Sequence, residues 1–225
     1  MTRRIRGTAA IAAAMVAGAI VTPSAARAQA KFELTPFVGS YYPIAKLCSD
    51  CNNISDGTNY IGRQLNSFAL GGGLSYWVSR TMAIAASFSW SPSRVEETQE
   101  DTTNNLGIRN GTSIKGTVFQ VSGRLMFRPP RTNVHFIVGG GIASRGGDFW
   151  KFIKDSAGGK STSPEGILGV GVRASVTPKF QLDINAEGHF YSFDPHFGVG
   201  TDHSDGTKLQ SDLLLSVGIP ITLSR

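Results

Sequence analysis

The residue types best suited to chemistry gather in one stretch, AEGHFYSFDPHFG, residues 186 to 198, which holds Glu187, His189, Ser192, Asp194 and His196. A serine hydroxyl becomes a nucleophile when an imidazole within hydrogen-bond reach takes its proton and a carboxylate orients that imidazole. Glu187, His189 and Ser192 are therefore a candidate hydrolytic or acyl-transfer constellation. Their spacing argues against it. In an extended strand, residues of opposite parity face opposite sides, and His189 and Ser192 differ in parity. The expectation is that His189 is an enclosed histidine paired with an acid and that no residue is catalytic; catalysis by these three is the alternative.

Other clusters are weaker. TDHSDG places Asp202, His203 and Asp205 together as a candidate cation site, but Asp and Gly are also ordinary turn formers, and a turn is the expectation. RVEETQED carries Glu96, Glu97, Glu100 and Asp101 and reads as a solvated loop. Cys48 and Cys51 are the only cysteines. Zinc normally needs four ligands, and no second pair accompanies them. In an oxidising compartment they are expected to form a local disulfide; free thiols and a redox or metal role are the alternatives. In GGDFWKF, Phe149, Trp150 and Phe152 either fold over the rest of the domain or dock on lipid headgroups, and the first is favoured. No cofactor is expected.

The elements that must position these residues are all extended. The chain opens with a basic segment, an apolar run and Ala28-Gln29-Ala30, the layout of a secretory signal peptide. Residues 1 to 30 are read as that removed signal and 31 to 225 as one domain. The formal charge of +6 includes Arg3, Arg4, Arg6 and Arg27; without them 18 cationic side chains face 16 acidic ones, a net charge of +2. No basic cluster remains to neutralise a run of phosphates, which excludes nucleic acid as a partner. Period-two alternation marks eight strands, at about 32 to 42, 67 to 78, 81 to 92, 116 to 128, 133 to 145, 165 to 175, 179 to 192 and 211 to 223.

Alternation does not say which face meets water, but side-chain size does. The polar face is mostly Gly, Ala and Ser, as in Gly139, Gly141, Ala143, Gly169 and Gly171. Such residues suit a narrow interior, and an eight-stranded barrel is only just wide enough for side chains to fill it. A polar network inside is expected from Glu33, Gln120, Arg124, Arg173, Gln181, Asp183 and Glu187. The other face carries no charge in the strand centres, as a lipid-facing wall requires, since Arg or Lys there costs about 2 to 4 kcal/mol. The fold class expected is all-β: a closed, eight-stranded, antiparallel, up-and-down transmembrane β-barrel. Closure satisfies every backbone group without leaving an edge.

Connections alternate in length. Short turns at Ser79-Arg80, Pro129-Pro130 and Thr177-Pro178 contrast with long polar loops at 43 to 66, 93 to 115, 146 to 164 and 193 to 210. In bacterial barrels short turns are periplasmic, which puts both termini in the periplasm. Aromatic girdles are expected at the strand ends, from Tyr42, Phe68, Trp90, Phe190 and Phe193 on the long-loop side and Phe32, Tyr76, Phe127 and Phe180 on the other.

KFELTPFVGSYYP, FALGGGLSYWV, HFIVGGGIA and LLLSVGIPITL together resemble the small bacterial outer-membrane β-barrel proteins, the OmpA/OmpX-like eight-stranded group. The resemblance covers residues 31 to 225. It implies an outer-membrane location amid lipid and lipopolysaccharide, insertion by the barrel-assembly machinery, and exposed loops with a structural or surface-interaction role whose partner the sequence does not specify. The charged lumen argues against a wide pore. Some small outer-membrane barrels modify lipid A with a His, a Ser and an acid, and such an acylase or deacylase is one alternative. The H-x-x-S spacing here departs from the H-x-S expected of the deacylases. A soluble exported ligand-binding barrel is the other alternative. Two further departures are the ending Thr222-Leu223-Ser224-Arg225, where the group usually has a terminal aromatic, and Pro36 and Pro220 in the strands that close the barrel. Proline cannot donate to a ladder, so a bulge or weak pairing is expected at that seam.

Overall fold

The computed structural model describes residues 31–53, 58–101, 109–157, 161–177, 180–193 and 208–223. In chain order these form β1 (Lys31–Pro43), β2 (Cys48–Asn53), β3 (Thr58–Gln64), β4 (Ser67–Trp77), β5 (Met82–Ser91), β6 (Arg94–Asp101), β7 (Arg109–Lys115), β8 (Thr117–Phe127), β9 (Val134–Gly146), α1 (Asp148–Ala157), β10 (Thr162–Thr177), β11 (Phe180–Phe193), β12 (Lys208–Gly218) and β13 (Ile221–Thr222). Strands β1, β4, β5, β8, β9, β10, β11 and β12 pair antiparallel with their neighbours, and β12 returns to β1 to close the barrel. No described helix is long and apolar enough to cross a membrane. In this fold the crossing belongs to strands.

The seam shows what the two prolines do. Pairing of β1 with β12 runs to Phe37–Gly218, stops across Pro220, and resumes at Leu34–Ile221 in the same register. Ile219 N–H still donates to the Pro36 carbonyl at 3.0 Å, but Pro36 has no N–H to return. The seam is weakly paired there rather than bulged.

The wall is apolar outside and polar inside. Leu168, Ile142, Phe88 and Val138 are between 51 and 59% exposed, whereas Glu33, Gln120, Asp183, Glu187 and His189 are at most 3% exposed. Among the described residues of the eight barrel strands, Lys31 at a strand end is the one charged side chain in the exposed class; Arg80 and Arg131 are exposed in the short turns. A soluble barrel needs the reverse arrangement, because a continuous exposed apolar belt is not stable against water. Aromatics flank the belt: Phe68 and Trp90 meet edge to face at 6.2 Å on the long-loop side, and Phe32 and Tyr76 lie 4.7 Å apart on the other. Phe127, Phe180, Tyr42 and Phe190 are also exposed.

Above the barrel the architecture departs from the expected polar loops. The first two long connections are hairpins that join into a four-stranded sheet in the order β2-β3-β6-β7. The acidic stretch expected as a solvated loop is β6, paired with β3 and β7 from Arg94 to Asp101. Its strand character follows from position: β6 begins three residues after β5 ends, so the antiparallel pairing of β4 with β5 continues upward as that of β3 with β6, shifted by one residue in register. The third connection contains α1. Gly147, at φ +93°, turns the chain from β9 into the helix, and a Cβ there would lie 2.6 Å from the Lys115 carbonyl oxygen. Phe149 and Trp150 of α1 are buried with Leu47, Val95 and Tyr191, with Ile114 packed alongside. Of the two placements open to the aromatics of this stretch, Phe149 and Trp150 fold over the mouth; the side chain of Phe152 lies outside the described residues.

Candidate functional site

The lumen holds the chemistry-bearing residues, arranged in layers because period-two parity delivers every second side chain inward at a new height. Nearest the short turns, the Arg173 guanidinium reaches across from β10 to β1, donating to the Glu33 carboxylate at 3.0 and 3.2 Å and to Asp183 Oδ2 at 3.2 Å. Trp77 Nε1 donates to the same Glu33 at 2.8 Å. One layer up, Arg124 of β8 donates to Glu187 Oε1 of β11 at 2.8 Å and to Ser122 Oγ at 3.0 Å. His135 Nε2 lies 2.9 Å from Asn185 Oδ1 and 3.7 Å from Asp183 Oδ1. Two inward glycines make room for these layers. A Cβ on Gly171 would sit 2.0 Å from Asn185 Oδ1 and 2.3 Å from His135 Nε2, and one on Gly169 would sit 2.9 Å from Glu187 Cγ.

The third layer contains the histidine singled out as a general base. His189 Nδ1 is 3.2 Å from Glu165 Oε2, and its Nε2 is 3.7 Å from Glu187 Oε2. Gln120 donates to Glu165 Oε2 at 3.2 Å and accepts from Ser89 Oγ at 2.9 Å. Ser192 is exposed on the outer wall, so strand parity separates it from the buried His189 and no nucleophile–base pair forms between them. The fourth layer sets Tyr41 and Tyr191 hydroxyls on Asp212 Oδ2 at 2.6 and 2.9 Å. The Arg145 guanidinium stands 4.3 Å over the Tyr191 ring and 5.3 Å from that of Trp150, which joins this layer to the aromatic cap.

Between the layers lies a void of about 50 Å³, lined in part by Arg124, Arg173, Asp183 and Glu187. The interior is filled by side chains, the walls are closed, and the outside is apolar. This is the fold of a small outer-membrane β-barrel. The barrel is similar to Neisserial surface protein A (14% identity, TM-score 0.44, covering 84% of this chain and 96% of that one). It is similar to the outer membrane protein OprG from Pseudomonas aeruginosa (11%, 0.47, 85% and 96%) and to the outer membrane protein AlkL (16%, 0.48, 91% and 95%). No family model and no curated sequence matches the chain.

Of the residues expected in the lumen, Glu33, Arg173 and Asp183 stand in one cluster and Arg124 and Glu187 in another. Gln120 stands with Glu165, and Gln181 lines the short-turn mouth. Sequence reasoning missed His135, Arg145, Glu165 and Asp212. Their parity was a usable signal, since His135 is in phase with Gly139 and Gly141, Glu165 with Gly169, and Asp212 with Ser216. Residues 1 to 30, Asp194, His196, Asp202, His203 and Asp205 lie outside the described residues, as do the side chains of Cys48 and Cys51. Among the described residues, no group of three or more His, Cys, Asp or Glu side chains is placed to hold a metal ion.

Proposed function

We propose that the protein resides in the bacterial outer membrane with its short turns and termini in the periplasm, and that it serves as a surface-interaction or structural barrel rather than a pore or an enzyme. The inversion of polarity across the wall carries this reading: paired charges sit inside and an uncharged apolar belt sits outside. Lipid penalises the opposite arrangement by several kcal/mol per charge. The Arg173–Glu33 and Arg124–Glu187 pairs span the lumen, and α1 covers the far mouth, which supports a plugged interior. The part offered to partners is then the β2-β3-β6-β7 sheet with α1. Its surroundings are outer-membrane lipid and lipopolysaccharide, reached through the barrel-assembly machinery.

Reconstitution in planar bilayers tests the absence of a pore: no stepwise ionic current is expected. Protease treatment of intact cells tests orientation. Cleavage should occur in the long connections and spare Ser79-Arg80 and Pro129-Pro130, and the reverse pattern would invert the reading. Lipid A from cells with and without the protein should have the same acyl composition.

A further inference from the structure

The short-turn end of the lumen opens into a cavity of about 620 Å³, and it is cationic: Lys31, Arg80, Arg128 and Arg173 line it, with Glu33 the single acid among its lining residues. Glu33 is already engaged by Arg173, Trp77 and Lys31, the last at 3.2 Å. Arg128 is not engaged in this way. Its guanidinium is held 4.3 Å from the Trp77 ring centroid, and its Nε and Nη2 are buried without a hydrogen-bond partner among the described residues. Those two N–H groups form one edge of the guanidinium, the edge that donates two parallel bonds to a pair of oxygens on one anion. An unmatched buried donor is costly, and more so when charged.

We propose that this vestibule binds the phosphate group of a small solute, either inorganic phosphate or a low-molecular-weight phosphate monoester. On binding, Arg128 turns this buried edge into the vestibule and grips two phosphate oxygens side-on, and Lys31 and Arg80 at the rim meet the remaining oxygen and the second negative charge. A carboxylate would satisfy the fork but bring no second negative charge to the rim, where Arg80 stands and Lys31 has only the Glu33 it shares with Arg173. The cavity is larger than phosphate alone requires and admits a short organic substituent.

The full barrel in zwitterionic detergent is titrated calorimetrically with inorganic phosphate, with glycerol 3-phosphate and with glycerol. The first two arms separate a free ion from an ester. Saturable binding of either phosphate and none of glycerol is expected, with affinity falling as salt rises. Arg128→Gln should weaken binding by at least about tenfold, the loss of roughly one charged bidentate contact. Lys46→Gln, in the first long connection, should leave binding unchanged. Heat-modifiable gel migration checks that each variant is folded. If Arg128→Gln does not fold, Arg80→Gln at the exposed rim carries the test, with a severalfold loss expected. Absence of saturable phosphate binding, or wild-type affinity in the folded arginine variant, overturns the proposal.

Discussion

The two mouths of the barrel are built on opposite principles. At the long-loop end, Phe149 and Trp150 of α1 pack on Leu47, Val95 and Tyr191, and Gln64 and Ser93 pin the bases of the hairpins to the Gly116 and Leu65 carbonyls. At the short-turn end, the described turns are only a few residues long, and the lumen opens into a charged vestibule. The difference teaches that closure here is a property of loop length. The same alternating strands yield a dry cap where the chain has material to spare and a wet basin where it has none. Four crossing layers of polar side chains keep the two environments apart.

The largest effect should come from breaking that partition. Glu187→Leu leaves Arg124 without the carboxylate now at 2.8 Å and is expected to cost about 3 to 5 kcal/mol in urea unfolding in detergent, the usual result of stranding one member of a buried pair. Adding Arg124→Met should restore most of the loss. A single variant as stable as the wild type would mean that the layers do not separate the ends. Next in size, Trp150→Ala removes a side chain that is 1% exposed and should cost the cap about 3 kcal/mol. Faster proteolysis of the α1 connection, with unchanged heat-modifiable migration, would report a cap that loosens while the barrel stands. Loss of the whole barrel would instead make the cap part of its core.

Gly171→Ala tests how tightly the lower layers fill the lumen. One carbon added beside His135 and Asn185 should cost about 1 to 3 kcal/mol as overpacking, measured by the same unfolding; a neutral result would show slack near the vestibule. Smallest of all, Arg63→Ala breaks the exposed 2.7 Å pair with Glu96 in the upper sheet. A change of no more than about 1 kcal/mol is expected, and a larger one would place the cap's stability in its surface charges rather than its aromatic cluster.

How much of this was legible in the sequence follows the same division. The eight wall strands could be read because lipid on one side and a narrow lumen on the other force strict alternation, and Phe119, Leu125 and Val138 declare the outer face. The lumen was readable by parity alone. What parity could not supply was which partners meet across the tube, since Arg173 and Glu33 are 140 residues apart. Above the membrane that constraint lapses. RVEETQED has one apolar residue, Val95, so β6 carries no alternating signature, and its pairing is inherited from β5 below it. α1 was hidden for a related reason: adjacent Phe149 and Trp150 read as an aromatic cluster, while the helix depends on the turn at Gly147 and on a mouth that only tertiary structure creates.

The crossing pairs also bear on how the tube assembles. Arg173 has Asp183 beside it within the β10–β11 hairpin, but Arg124 finds Glu187, and Arg173 its second partner Glu33, only once distant strands have curled round to face each other. A flat, half-built ribbon leaves Arg124 without its carboxylate at a greasy boundary. Neutralisation therefore arrives late and nearly all at once, and contacts of such long sequence separation slow the search for the native state. The ionic rungs act as a latch that rewards completion and penalises every intermediate short of it.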